Sequence, residues 1–161
     1  MSQVAAGPAA RAAVSSPRDS GRVGRDWVPA LAEVPLFEGL SRRHLRRIAS
    51  LGKLRRFAPG SSIVRAGDSG SSFYVILDGA ARVVAAGGRP QRLQAGDSFG
   101  EMALLDDSPR SAHVVAVDEV LTMTISRTAF GKLLKSEPAI ANALLRTLAA
   151  RLRAVEQSAT G

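Results

Sequence analysis

The sequence predicts a mainly β fold with flanking helices, a sandwich or barrel of the jelly-roll kind. Three observations predict it. Between Leu54 and Ile125, short β-prone runs alternate with Gly, Asp, Ser and Pro punctuation. Before and after that stretch, apolar residues recur at helical spacing. The chain has 161 residues and is 45% apolar, enough for one domain with a real core.

Residues 1–26 are rich in Ala, Gly, Ser, Pro and Arg, with three valines as their only branched aliphatics. That composition predicts a disordered N-terminal tail. From Trp27 the character changes, and Trp27, Leu31, Val34, Leu36, Phe37 and Leu40 begin a core-forming stretch. Ser41 is an N-cap candidate for a helix carrying Leu45, Ile48 and Ala49 inward, and Gly52 ends it. The β-prone runs follow: Lys53–Phe57, Ser62–Arg65, Phe73–Leu77, Ala81–Ala85, Arg89–Leu93, His113–Val117 and Val120–Ile125. The glycines of Gly67-Asp68, Asp78-Gly79 and Gly96-Asp97 read as turn residues between them. After Ser126, Phe130, Leu133 and Leu134 mark a helix, and Ser136 before Glu137-Pro138 reads as the start of a final helix of about 20 residues. Its stripe Ile140, Leu144, Leu145, Leu148, Leu152 and Val155 is expected to pack on the β body, with a dimer seam as the alternative. The domain is therefore expected over 27–157, divided into a helical part 27–52, a β part 53–126 and helices 127–157, with 158–161 a tail.

Composition excludes several chemistries. There is no cysteine, so no disulfide, thiol nucleophile or thiolate metal site. Only His44 and His113 offer imidazole, too few for a histidine-rich metal centre. No Ser-His-Asp order or paired carboxylates point to catalysis, and a non-enzyme is expected. No apolar run reaches 18 residues and no signal peptide opens the chain, so a cytoplasmic location without a membrane span is expected. Net charge is +8, concentrated in Arg42, Arg43, Arg46, Arg47, Lys53, Arg55 and Arg56. A solvated basic face accounts for these residues. No helix-turn-helix or zinc-finger pattern accompanies them, so nucleic acid is not an expected partner.

The chemistry lies in GDSFGEMALLDDSPRSA, residues 96–112. Glu101 to Leu105 reads as one helical turn whose N-terminus suits an anion, and Gly100 lets a ligand approach the backbone. Arg110 follows across a tight Asp-Asp-Ser-Pro turn and can offer parallel N–H donors to a phosphate. Ser111 adds a hydroxyl and a backbone N–H. An ionised Glu101 is acceptor-only, so it can take the proton of a ribose hydroxyl. A ribose cyclic phosphate would occupy both groups from opposite ends.

FGEMALL followed by PRSA resembles the phosphate-binding cassette of cyclic nucleotide-binding domains, found in catabolite activator protein, the regulatory subunit of protein kinase A and cyclic nucleotide-gated channels. VPLFEGLS before a helix, then FYVILDG and GDSFGE, keeps the family order from Val34 to Leu105. The resemblance implies an eight-stranded jelly-roll β-barrel (a double-stranded β-helix) with an N-terminal helix and C-terminal hinge or lid helices. It implies a cassette over 99–112, from Phe99 to Ala112, with Arg110 on the phosphate and Glu101 on the ribose 2′-OH. Gly100 and Ser111 would contact ribose and phosphate, and the backbone of Met102 and Ala103 would line the cassette. Val83 and Leu93 would face the purine, and Arg151 on the last helix would cap it. The implied ligand is cyclic AMP, with cyclic GMP also served by a hydroxyl at Ser111, and no further cofactor is expected. The output of such a sensor is expected to lie in a protein effector or in a homodimer through the C-terminal helix. The alternative is a structural or interaction domain that keeps the fold without the ligand.

Overall fold

The computed structural model describes residues 27–85 and 87–160. The tail expected over 1–26 lies outside the described residues. Eight strands form two four-stranded antiparallel sheets. The strands are β1 (Lys53–Phe57), β2 (Ser62–Val64), β3 (Ser72–Asp78), β4 (Ala81–Ala85), β5 (Gln91–Leu93), β6 (Ser98–Phe99), β7 (Ala112–Ala116) and β8 (Val120–Ser126). One sheet has the order β1-β8-β3-β6 and the other β2-β7-β4-β5. Neighbours are therefore mostly non-consecutive, and the chain crosses between sheets, the connectivity of a jelly roll.

Helices flank the sheets: α1 (Trp27–Ala32), α2 (Arg42–Ala49), α3 (Arg127–Ser136) and α4 (Pro138–Thr160), with a 3-10 turn at Pro35–Phe37. Ser41 caps α2 by accepting from the His44 N–H at 3.1 Å, as its sequence position predicts. Ser126 caps α3 in the same way, accepting from Ala129 N–H. Ser136 does not open the last helix. It is the final residue of α3, where its hydroxyl donates to the Leu133 carbonyl at 3.0 Å, and α4 begins at Pro138. The last helix continues to Thr160 and so takes in residues 158–160 of the expected tail.

Two apolar clusters sit on the two faces of the first sheet. Phe73, Val75, Leu77, Leu121, Met123 and Ile125 face the helices, where they meet Trp27, Leu31, Phe37, Ile48, Phe130 and Ile140. Tyr74, Ile76, Phe57 and Val120 face inward, against Ile63, Val83, Leu93, Phe99 and Val114 of the sandwich interior. Successive side chains of a strand point to opposite faces, so a strand buried on both sides must be apolar throughout. That is why β3 reads as the unbroken run Phe73–Leu77. Trp27 serves as the N-terminal anchor, its ring lying on Gly52 and Met123.

The apolar stripe of α4 behaves otherwise than expected. Ile140 and Leu144 are buried and Leu148 is partly so, but Leu145, Leu152 and Val155 are 63%, 61% and 65% exposed. Leu152 and Val155 come after Leu148, the last aliphatic packed on the core, whereas Leu145 lies within the packed stretch and off its buried face. The basic segment is solvated, as expected: Arg47 pairs with Glu137 at 2.5 Å and Arg56 with Glu119 at 2.8 Å.

Candidate functional site

The cassette starts on β6, a strand too short to show a period in the sequence. Phe99 pairs with Tyr74 and Ser98 with Val75, and the Tyr74 and Phe99 rings stack at 5.0 Å and 13°. Gly100 then takes φ 81°, left-handed backbone that an L side chain adopts only with strain. A Cβ there would also run into the Arg110 guanidinium and lie 3.1 Å from the Ser72 carbonyl. The expected helical turn is a 3-10 turn, Glu101–Leu104. It buries Glu101 to 5% exposure together with Ala103 and Leu104, and leaves Met102 at 47%.

The loop back to Arg110 is held by its own side chains. Asp106 accepts from the Ser108 hydroxyl at 2.6 Å and from the Ser108 N–H at 3.1 Å. Those bonds hold the Asp106 carboxyl below the usual carboxylate value. Arg110 is anchored by backbone: its N–H donates to Asp68 O and its carbonyl accepts from Gly67 N–H, each at 2.8 Å. Its guanidinium turns inward and donates to the Ser72 carbonyl, while Nε is buried with no hydrogen-bond partner. Burial pulls the Arg110 pKa below its ordinary value, against the attraction of Tyr74 and Glu101.

Glu101 carries the opposite charge and is perturbed in the opposite sense. Desolvation raises its pKa above the ordinary 4.5, opposed by a backbone hydrogen bond and by the charges of Arg151 and Arg110. The two expected binding groups thus feel each other's charge, and Arg151 of α4 is close enough to join them. A folded carboxyl that holds its proton more tightly than the unfolded one loses stability as pH rises. The stability deficit from Glu101 should therefore grow as pH climbs from about 4.5 through the raised value, and be complete above it. Glu101→Gln should remove that slope, matching the wild type at acid pH and exceeding it near pH 7. Urea midpoints from pH 4 to 8 check this, and a steeper slope in the variant would contradict it.

Val83, Leu93, Phe99 and Ala112 all belong to the interior cluster, with Leu93 fully buried. Ser111 is at the surface end of the cassette. A cavity of about 240 Å³ opens at Arg110, lined among others by Arg65, Asp68, Ser69, Gly70, Ser71 and Tyr74. Of the expected site residues only Arg110 lines it. The loop Ser69–Ser72 and Tyr74 are not among the site residues that the sequence singles out, where Gly67-Asp68 reads as a turn and Phe73–Leu77 as a strand. Among the described residues no group of three or more His, Asp or Glu could hold a metal ion. No helix among them is long and apolar enough to cross a membrane.

Residues 54–137 match the family described as cyclic nucleotide-binding domain. The cAMP-dependent protein kinase regulatory subunit of Colletotrichum orbiculare is 37% identical over 106 residues, 65% of this chain and 27% of that protein. The regulatory subunit of Hypocrea atroviridis is 38% identical over 104 residues, again 65% of this chain and 22% of that protein. The chain therefore spans about a quarter of the length of these curated relatives. Among solved structures, the N-terminal domain of a transcriptional regulator from Streptomyces coelicolor superposes with a TM-score of 0.69 at 28% identity, covering 80% of this chain and 94% of that one. Thermus thermophilus catabolite activator protein gives 0.58 at 32% identity, covering 78% and 62%. The regulatory domain of Toxoplasma gondii PKA, solved with cAMP, gives 0.62 at 26% identity, covering 83% and 52%. The match takes in more than half of the residues, from β1 through the cassette to the end of α3, and this chain belongs to the cyclic nucleotide-binding domain family.

Proposed function

We propose that the chain is a cyclic AMP receptor and not an enzyme, with Arg110 on the ligand's phosphate and Glu101 on its ribose 2′-OH. The observation that carries this reading is the state of Arg110: a partly buried cation whose Nε is left without a hydrogen-bond partner. A buried charge with an unmet donor favours an anion that supplies the missing acceptor. Glu101, buried in the same cassette, repels that anion and orients the neutral sugar edge toward itself. Gly100, Met102 and Ala103 offer backbone to the ligand, and Phe99, Ser111 and Ala112 complete the cassette. Val83 and Leu93 supply the apolar wall for the base and Arg151 the cap. The 27–157 segment acts as one sensing domain with its helices at the two ends.

Binding shifts a two-state equilibrium. Leu104 packs in one cluster with Phe130, Leu133, Ile140 and Leu144, so a movement of the cassette turn reaches α3 and α4 directly. A ligand biases such an equilibrium only by its differential affinity for the two states. The output passes to a protein effector, or to a second copy through the exposed aliphatics of α4. Calorimetric titration with cyclic AMP and cyclic GMP tests the reading, cyclic AMP being expected to bind more tightly. Saturating ligand should slow amide exchange in residues 126–157, and unchanged exchange there would end the switch. A chain that gives no heat with either nucleotide would be the ligand-free interaction domain instead.

A further inference from the structure

We propose that Gly70 is a positioning residue for the Arg110 guanidinium, so that the loop Ser69–Ser72 forms a wall of the phosphate site outside the cassette. A Cβ built on Gly70 would overlap Arg110 Nε and lie 2.7 Å from Cζ and 3.0 Å from Cδ. From the other side, a Cβ on Gly100 would overlap one terminal nitrogen and lie 3.2 Å from Cζ. The guanidinium is thus held between two stretches of backbone that both lack a side chain. The Ser72 carbonyl, two residues beyond Gly70, accepts from its edge. The remaining side opens on the cavity that Gly70, Ser69 and Ser71 help to line.

The two glycines answer different demands. Gly100 is required by its left-handed backbone as well as by space, so any substitution there strains the turn itself. Gly70 is not among the glycines with positive φ, so the strain that bars a side chain at Gly100 does not apply there. The three atoms nearest a methyl group at Gly70 all belong to the outer part of one flexible side chain. The cheapest relief is therefore to move the guanidinium and leave the fold alone. A planar donor fork binds phosphate through two parallel bonds, and a displacement of about 1 Å is enough to break that geometry.

The inference rests on the reading that Arg110 receives the ligand's phosphate, and the test separates the two. Wild type, Gly70→Ala and Gly131→Ala are compared. Gly131 lies in α3 with nothing within 4 Å of an added Cβ, so its variant reports the effect of a harmless methyl. Affinity is read by calorimetry with cyclic AMP, and the guanidinium by the Arg110 Nε–H resonance without ligand. Gly70→Ala should bind at least about 10-fold more weakly, shift that resonance and keep the wild-type urea midpoint. Gly131→Ala should match the wild type in affinity and resonance. Gly70→Ala binding within about twofold of wild type, or binding weakly with the Arg110 resonance unmoved, would overturn the proposal. So would a Gly70→Ala chain that does not fold, because the methyl would then press on backbone and not on the arginine. A wild type that binds no nucleotide removes the receptor reading, while the resonance still decides whether Gly70 sets the guanidinium.

Discussion

Arg110→Ala should lower cyclic AMP affinity by at least about 100-fold, close to 3 kcal/mol, while leaving the fold's stability nearly unchanged. The first half follows from the number of bonds at stake. A guanidinium on a phosphate makes two charge-assisted hydrogen bonds, each worth roughly 1.5–3 kcal/mol when desolvated. Arg151 does not replace it, because that cation lies on α4 and acts on Glu101. The second half follows from the cost of holding that cation in place. Burial already works against the charged form of Arg110, and its Nε is buried without a partner. Deleting the side chain removes the desolvation penalty together with the bond to the Ser72 carbonyl. Affinity and stability should therefore part company, read by calorimetry and by urea denaturation on the same preparation. A variant that loses both together would place Arg110 in a structural role.

Phe37→Ala should cost about 3–5 kcal/mol of stability, a large fraction of the roughly 5–15 kcal/mol typical of a domain. Phe37 is 1% exposed and belongs to the short 3-10 turn before α2. Its ring meets Phe73 of β3 edge-on at 6.0 Å and Phe130 of α3 at 6.0 Å. One side chain thus ties the N-terminal helices, the first sheet and the helix after the sheet. Truncation leaves a void between the Phe73 and Phe130 rings that cannot close without moving their elements. The urea midpoint should fall with little change in the m-value. A loss under about 1 kcal/mol would mean the cluster collapses freely into the gap. Phe130 and Leu104 share this cluster, so the void should also loosen the route from cassette to helices. Ligand-dependent protection of residues 126–157 should weaken in the variant even where it remains folded.

The sequence foretold much of the fold because its signals were local. Ser41 announces α2 through a cap that involves only residues three apart. The strands carry their alternation or their double burial within five to seven residues, as in β4 and β3. Where an element is shorter, the signal is lost: β6 has two residues, and β5 begins at Gln91 where the expected run begins at Arg89. β7 spans Ala112–Ala116, one residue earlier than the expected His113–Val117, which places Ala112 in the sheet. The stripe on α4 shows a different limit. Periodicity does not tell how far the neighbouring body extends beneath a face, and Leu152 and Val155 lie past Leu148, the last aliphatic packed on it, while Leu145 sits off the buried side. Within the site, the cassette was legible because its charged and apolar residues are contiguous. The packing of Gly70 on Arg110 was not, since 40 positions separate them and only the β2–β3 loop folding back on the cassette brings them together.

At the rim of the first sheet, β1 has β8 on one side and no strand on the other. Lys53, Arg55 and Arg56 occupy three of its five positions. A rim of unsatisfied amides is a template on which another chain can crystallise into fibre, and repulsion between like charges is what blocks the first step. Another molecule aligned antiparallel on this rim, with all five residues paired, would set Arg55 opposite Arg55. The cationic run thus acts as a full stop on lateral growth at β1, one of the edges that the two sheets leave unsealed.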